Sequence, residues 1–262
     1  MATMRNPRSA SIGKVGRTAA QSKGWVFFEL ALCYGLILLT LWTPRPWQRW
    51  LYWSALAWVV LSTCISFAGW KALGFRVAGF WRSLWVVGVA LIVACGALIL
   101  ADRLHTLHHP SGLVKWIETF GGYAVWALMQ QFLMQGYFLL RLLRLLPRPQ
   151  WAAIAAAVIF AAAHLPNPIL APLTLLWGLC ACFAFLRYRN IYPLAIAHAI
   201  FGICIAITIP GPVVHNMRVG LGYLTYRAPR PLHLSQSDQR VSTVAWVIAE
   251  APTRRPARHA LP

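Results

Sequence analysis

Acidic residues are scarce in this sequence, and charged residues of either sign are few. The chain holds 5 Asp and Glu against 24 Lys and Arg, and charged residues make up 11% of its 262 positions. Ordinary soluble domains carry roughly 25% charged residues. Together with 59% hydrophobic residues and a mean hydropathy of +0.60, this excludes a typical soluble domain and indicates an integral membrane protein.

We expect neither a cleaved secretion signal nor an attached soluble catalytic domain in this sequence. Residues 1–23 are basic and contain no acid, and the long apolar run after them has no A-x-A-like cleavage site. We therefore expect a disordered arm ahead of an uncleaved first transmembrane segment. Residues 210–262 are polar and rich in Pro and Arg, which predicts a partly disordered C-terminal tail. Connections within residues 24–209 are short, so we expect one transmembrane helical domain there.

Seven apolar segments approach the roughly 20 residues that a helix needs to cross a bilayer. The fifth is short, and Pro166 and Pro168 follow it closely, which predicts that it ends inside the membrane. The sequence thus predicts an all-α polytopic membrane bundle of about seven transmembrane helices. The segments are residues 24–42, 51–69, 83–101, 123–146, 151–164, 169–186 and 191–209.

The formal charge of +19 predicts contact with lipid headgroups rather than with nucleic acid. In a membrane protein, basic residues at the ends of the spans meet anionic headgroups and set the orientation. A small excess of basic residues in the segments on the side of the N-terminus favours an N-terminus inside the cell. The predicted partners are the bilayer and a membrane-associated peptide or protein.

Polar side chains are rare within the apolar segments, and three groups of them stand out. A polar group without a partner in the bilayer core costs several kcal/mol, so these residues mark candidate sites. The groups are Gln130, Gln131 and Gln135; the run Phe160-Ala-Ala-Ala-His164; and His198 with Gly202 four residues later.

The order and spacing of these groups resemble the CPBP family, the CAAX prenyl protease 2 and bacteriocin-processing group of intramembrane peptidases. The motifs of that family are E-E-x-x-x-R, then F-x-x-x-H, then H-x-x-x-N or H-x-x-x-D. The resemblance covers about residues 120–210. It implies an intramembrane endopeptidase, and we expect it in a bacterial cytoplasmic membrane.

The resemblance assigns a role to each polar position. Gln130 and Gln131 stand where the family has two glutamates, Gln135 stands at the arginine, and Gly202 stands at the asparagine. Phe160, His164 and His198 match the family. In that family a glutamate and a histidine activate water, while the second histidine and the asparagine stabilise the oxyanion. The implied catalytic residues are His164, His198 and Gln130, but an amide cannot take the proton, so the sequence leaves open whether the chain is an enzyme.

The glutamines predict a neutral pair in place of a charged one. Gln131 and Gln135 are one helical turn apart, where two amides can bond to each other. We expect this bond, and we expect a lone Gln131→Glu to be destabilising until Gln135→Arg supplies a cation. The alternative is that these amides only hold neighbouring helices together.

Residues just beyond the last segment could complete the site. His215 and Asn216 are expected at the outer mouth of the bundle, where they could supply what Gly202 lacks. No cofactor is certain, and zinc is the candidate: His164, His198 and His215 would be three neutral imidazole ligands with one open position.

Three functions are compatible with these residues. The first is an intramembrane peptidase with altered catalytic groups. The second is a catalytically inactive relative that binds a hydrophobic or lipid-linked partner as a scaffold or chaperone. The third, a small-solute carrier, ranks lowest because the chain shows no inverted repeat.

Overall fold

A computed structural model describes residues 22–227, and this part of the chain is helical without strands. The predicted arm at residues 1–23 and the end of the predicted tail lie largely outside the described residues. The first helices are α1 (Lys23–Trp42), α2 (Trp47–Ile65), α3 (Trp70–Leu73), α4 (Phe80–Ser83), α5 (Trp85–Arg103) and α6 (Leu113–Gln131). They are followed by a π-helix (Phe132–Leu139), α7 (Leu140–Leu145), α8 (Pro149–Ala162), α9 (Leu170–Tyr188), α10 (Tyr192–Thr208), α11 (Gly211–Val214), a 3-10 turn (His215–Met217) and α12 (Gly220–Leu224).

Several helices have the length and composition of membrane spans. Within the described residues, Lys23–Trp42, Phe80–Arg103 and Leu170–Tyr188 are long and apolar enough to cross a bilayer, whereas α8 and α10 are apolar but shorter. Large apolar side chains cover the outside, including Trp50 at 69% and Trp81 at 78% exposure. These features agree with an integral membrane protein. The predicted count of seven spans exceeds the three found by this criterion and stays a prediction.

Small residues bring α8 and α9 into close contact. Ala153 and Ala157 are fully buried on α8, and a Cβ added at Gly178 of α9 would lie only 3.2 Å from the Cα of Ala157. Small side chains let helix backbones approach in membranes. Because α8 has 14 residues, it is about 21 Å long, which is short of a typical bilayer core. A helix of this length agrees with the prediction that the fifth segment ends inside the membrane, which stays a prediction.

The helix predicted over residues 123–146 is not a continuous α-helix. After Gln131 it opens into a π-helix, at whose end the N–H of Leu140 donates to the carbonyl of Gln135, five residues earlier. π-helical segments are rare and frequently lie at functional sites. This segment separates two buried polar faces, because Gln131 contacts α10 while Tyr137 contacts α1 and α2.

Ordered structure extends beyond residue 209 into the predicted tail. The chain folds back so that the N–H of Gly220 donates to the carbonyl of Leu165 at 2.8 Å. Gly220 has φ +56°, and any side chain there would clash with the carbonyl of Leu41. Asn167 donates to the carbonyls of Val214 and Arg218, at 3.0 Å and 3.1 Å. Residues 210–227 thus pack beside the loop that follows His164.

Candidate functional site

Gln131 and His198 form a buried hydrogen bond between α6 and α10. The amide nitrogen of Gln131 lies 2.7 Å from Nδ1 of His198, and their side chains are 0% and 6% exposed. With the amide nitrogen as donor, Nδ1 of His198 accepts, so the neutral ring carries its proton on Nε2. His198 can therefore donate a hydrogen bond from Nε2.

His164 has the opposite arrangement because α8 ends just before it. The backbone N–H of His164 bonds to the carbonyl of Ala161 at 2.9 Å, which leaves the carbonyl of Phe160 for the imidazole ring. Nδ1 of His164 donates to that carbonyl at 2.7 Å. The proton is then on Nδ1, and Nε2 keeps a lone pair that can accept a proton.

Aromatic rings join the two histidines into one site. The ring centroid of Phe160 lies 4.8 Å from that of His164 and 5.8 Å from that of His198, both in edge-on geometry. The ring of Trp177 lies 6.1 Å from the His198 ring on another side. The structure thus brings together Gln131 of the first predicted motif, Phe160 and His164 of the second, and His198 of the third.

The remaining glutamines are arranged differently from the prediction. Gln135 is fully buried, and neither of its amide atoms has a hydrogen-bond partner among the described residues. The predicted bond between Gln131 and Gln135 is therefore wrong. The physical reason is that Gln131 donates to His198 instead, and the helix changes to π geometry directly after Gln131. Gln130 is half-buried and makes no side-chain hydrogen bond within residues 22–227.

Tyr123 occupies the space of the side chain that Gly202 lacks. A Cβ built on Gly202 would overlap the hydroxyl and ring of Tyr123. Gly202 is one turn from His198 on α10, so this hydroxyl lies where the asparagine of the CPBP motif would extend. The sequence reasoning missed Tyr123. Its signal was its position seven residues before Gln130, on the same face of α6.

His215 and Asn216 lie in the segment that folds back beside the loop after His164. The ring of His215 stacks on Tyr223 at 4.0 Å and on Tyr226 at 4.8 Å, and its Nδ1 lies 3.2 Å from the carbonyl of Tyr223. Asn216 has a left-handed backbone with φ 49° and contacts Gly211. Neither side chain has a contact with His164 or His198 among these interactions.

The three predicted zinc ligands are not found as one group within the described residues. His215 is held in a tyrosine stack, and no group of three or more His, Cys, Asp or Glu side chains within residues 22–227 is placed to hold a metal. Zinc binding therefore stays a prediction.

A second buried polar cluster lies on the other face of the π-helix. Nε of Arg141 donates to Glu29 at 3.1 Å, and Ser62 donates to the other carboxylate oxygen at 2.8 Å. Arg141 also donates to Ser66 at 2.9 Å and lies over the Tyr137 ring at 3.7 Å. Glu29 is 0% and Arg141 4% exposed. The sequence reasoning missed this ion pair, although Glu29 is the only acid in the first apolar segment.

One part of the chain matches a known family model. Residues 112–204 match the family model described as type II CAAX prenyl endopeptidase Rce1-like. This match to an Rce1-like model over residues 112–204 confirms the predicted resemblance to the CPBP family for that part of the chain. The match includes Tyr123, Arg141 and both site histidines, whereas Glu29, His215 and Asn216 lie outside it. No curated protein and no solved structure matches the chain.

Proposed function

We propose that this protein is a CAAX protease-like intramembrane peptidase homologue that acts on a membrane-associated peptide or protein, with His164 as the base. The observation that carries the proposal is the partner of each Nδ1: a backbone carbonyl for His164 and a side-chain amide nitrogen for His198. His164 presents a lone pair at Nε2, because its Nδ1 is bonded to a carbonyl, and His198 presents Nε2–H, because its Nδ1 accepts from Gln131. One acceptor and one donor are the two groups that water attack on a carbonyl needs.

The proposed reaction begins when Nε2 of His164 removes a proton from a water molecule. The hydroxide attacks the carbonyl carbon of the scissile peptide bond, and Nε2–H of His198 donates to the oxygen as it becomes negative. The C–N bond then breaks, and protonated His164 gives its proton to the departing amine nitrogen. Water and peptide are converted to a carboxylic acid and an amine, and both rings return to their starting state.

The Tyr123 hydroxyl is proposed as a second donor to the oxyanion. It lies against Gly202, one helical turn from His198. Removing one oxyanion donor lowers kcat by about 100-fold to 1,000-fold in well-studied cases. We expect Tyr123→Phe to lower kcat by a similar factor while the thermal unfolding midpoint changes little, because the ring remains in place.

Cleavage of membrane-anchored peptides by the purified full chain tests the proposal. A set of prenylated and unprenylated peptides in lipid nanodiscs would be offered to wild type, to His164→Ala and to His109→Ala. His109 is an exposed histidine outside the site, so His109→Ala controls for histidine loss. We expect His164→Ala to abolish cleavage and His109→Ala to retain it. Equal activity of all three proteins would contradict His164 as the base.

A second candidate function is binding without cleavage, as a scaffold or chaperone for a hydrophobic or lipid-linked partner. Two observations favour it: Gln131 bonds His198 with an amide in place of the family's carboxylate, and Tyr123 fills the space at Gly202. If neither wild type nor Gln130→Glu cleaves any peptide offered, while both still retain the anchored peptides, this candidate is the correct one.

We further propose the seven-span topology with an N-terminus inside a bacterial cytoplasmic membrane. Basic residues concentrate at the end of the bundle that contains α3, α4 and the C-terminal end of α9, as in Lys71, Arg82 and Arg187. The acids Asp102 and Glu118 lie at the end of α5 and the start of α6, on the opposite side. Basic residues are enriched on the cytoplasmic side of membrane proteins.

A further inference from the structure

We infer that a basic cavity at one end of the bundle binds the phosphate of an anionic phospholipid headgroup. The cavity has a volume of about 310 Å³, which is within the lower range of small-ligand sites. It is separate from the histidine site and does not depend on the proposed peptidase activity. We call it the basic cavity; its lining residues include Ser66, Lys71, Arg76, Arg141, Arg144 and Arg189.

The lining of the basic cavity is positively charged: Lys71, Arg76 and Arg189 belong to it, and Arg141, which also belongs to it, is paired with Glu29. Among the residues that the structure describes, no acidic side chain lines it. Within residues 22–227 the acids are Glu29, Asp102 and Glu118, and the Glu29 carboxylate is already bonded to Arg141 and to a serine. Asp102 belongs to the far end of α5, a helix of 19 residues and thus about 28 Å long. An anionic ligand in this cavity would meet the positive charges of Lys71, Arg76 and Arg189.

Parts of the cavity wall are held in place before any ligand binds. Arg76 donates to the carbonyl of Tyr188 at 2.9 Å and to that of Ala78 at 3.2 Å. The Arg189 guanidinium lies 5.6 Å from the ring centroid of Phe185. The Arg141 guanidinium also lines the cavity and is fixed by its buried ion pair with Glu29. Basic groups fixed in this way lose little side-chain freedom when they bind phosphate.

The position of the cavity favours a lipid over a soluble phosphate. Trp70 begins α3 beside Lys71 and is 66% exposed, and Trp81 is 78% exposed on α4. Exposed tryptophans at helix ends mark the headgroup level of the bilayer. Basic pockets between membrane helices at this level bind acidic headgroups. Phosphatidylglycerol carries such a phosphate without a compensating amine.

Thermal unfolding of the purified full chain in detergent tests the site. Phosphatidylglycerol, phosphatidylcholine with the same acyl chains, or inorganic phosphate would be titrated into each sample. We expect phosphatidylglycerol to raise the unfolding midpoint and phosphatidylcholine to raise it much less. Equal shifts of the unfolding midpoint with the two lipids would overturn the proposed headgroup site. An equal shift with inorganic phosphate would show that free phosphate, and not a lipid, is the ligand.

Two double variants with the same change in net charge test whether phosphatidylglycerol binds in the basic cavity. Lys71→Gln with Arg189→Gln removes two charges from the basic cavity, whereas Arg49→Gln with Lys115→Gln removes two exposed charges from the opposite end. We expect the first to weaken phosphatidylglycerol binding by about fivefold per charge and the second to leave it unchanged. If the first variant is poorly folded, Lys71→Gln alone gives the same test, because Lys71 is exposed. Unchanged binding in the cavity variants would overturn the proposal.

Discussion

A single amide determines how the proposed site is protonated. Gln131 donates to Nδ1 of His198 and so moves the ring proton to Nε2. A glutamate at the same position would accept from Nδ1–H and leave Nε2 as a base. With an amide at position 131 in place of a carboxylate, Nε2 of His198 is a hydrogen-bond donor and no longer a base. The base must then be His164.

The Gln131 contact predicts a loss of stability when the amide is removed. Gln131→Met leaves Nδ1 of His198 buried without a partner, which costs from about 0.6 kcal/mol for an average membrane hydrogen bond to about 3 kcal/mol for an orphaned buried group. Gln130→Met is the matched control, because Gln130 makes no side-chain hydrogen bond within the described residues. The free energy of unfolding, measured in the same detergent, should fall only for Gln131→Met. Equal losses would show that the Gln131 contact contributes nothing specific.

The same contact changes the expectation for restored charges. A carboxylate introduced by Gln131→Glu would meet His198 rather than residue 135. Gln135→Arg is therefore not expected to rescue that variant, contrary to the expectation from helical spacing alone.

The contact between Gly202 and Tyr123 predicts a steric cost at residue 202. Gly202→Ala places a Cβ on the Tyr123 hydroxyl and should destabilise the protein by about 1–3 kcal/mol. Gly88→Ala in α5 is the control, because a Cβ there meets nothing within 4 Å. This variant should leave the free energy of unfolding unchanged or raise it by up to about 1 kcal/mol, because Ala has a higher helix propensity than Gly. Combining Gly202→Ala with Tyr123→Ala should recover part of the loss, as a double-mutant cycle would measure. Additive effects would show that the two residues do not compete for space.

At the scale of helices, the Glu29 and Arg141 pair ties α1 to α7. The two residues are 112 positions apart in the chain and are joined inside the bundle. Glu29→Gln should therefore destabilise by about 3–5 kcal/mol, because it leaves a buried arginine without its counter-charge. Glu118→Gln, at an exposed carboxylate on α6, should change the unfolding free energy little. Similar unfolding midpoints for both variants would mean that the ion pair does not stabilise the fold.

Local patterns in the sequence predict the helices and the motif residues well, but they do not predict the contacts between helices. The all-α fold, the short α8 and the position of His164 follow from apolar length and from the prolines after it. The π-helix could not be predicted, because residues 132–139 are apolar in the same way as an α-helix. The Glu29 and Arg141 pair and the Tyr123 contact depend on which distant helices pack together, and spacing within one segment does not contain that information.

At the scale of the whole molecule, charge predicts the orientation in the membrane. If the basic end faces the cytoplasm, Lys71→Cys should be protected from a membrane-impermeant maleimide in intact cells, and Lys115→Cys, at the opposite end, should react. Labelling after cell lysis controls for accessibility, and the unmodified chain gives the background from its own cysteines. Labelling of the residue 71 variant alone in intact cells would reverse the proposed orientation.

The most direct test of the proposed chemistry is hydrolysis of a membrane-anchored peptide in water enriched in oxygen-18. If His164 activates water for attack on the peptide carbonyl, mass spectrometry should find one oxygen-18 atom in the new C-terminal carboxylate of the product. That product should be missing with His164→Ala and present with His109→Ala. A labelled product that forms equally well in the His164→Ala protein would contradict the account, because the attacking water would then be activated elsewhere.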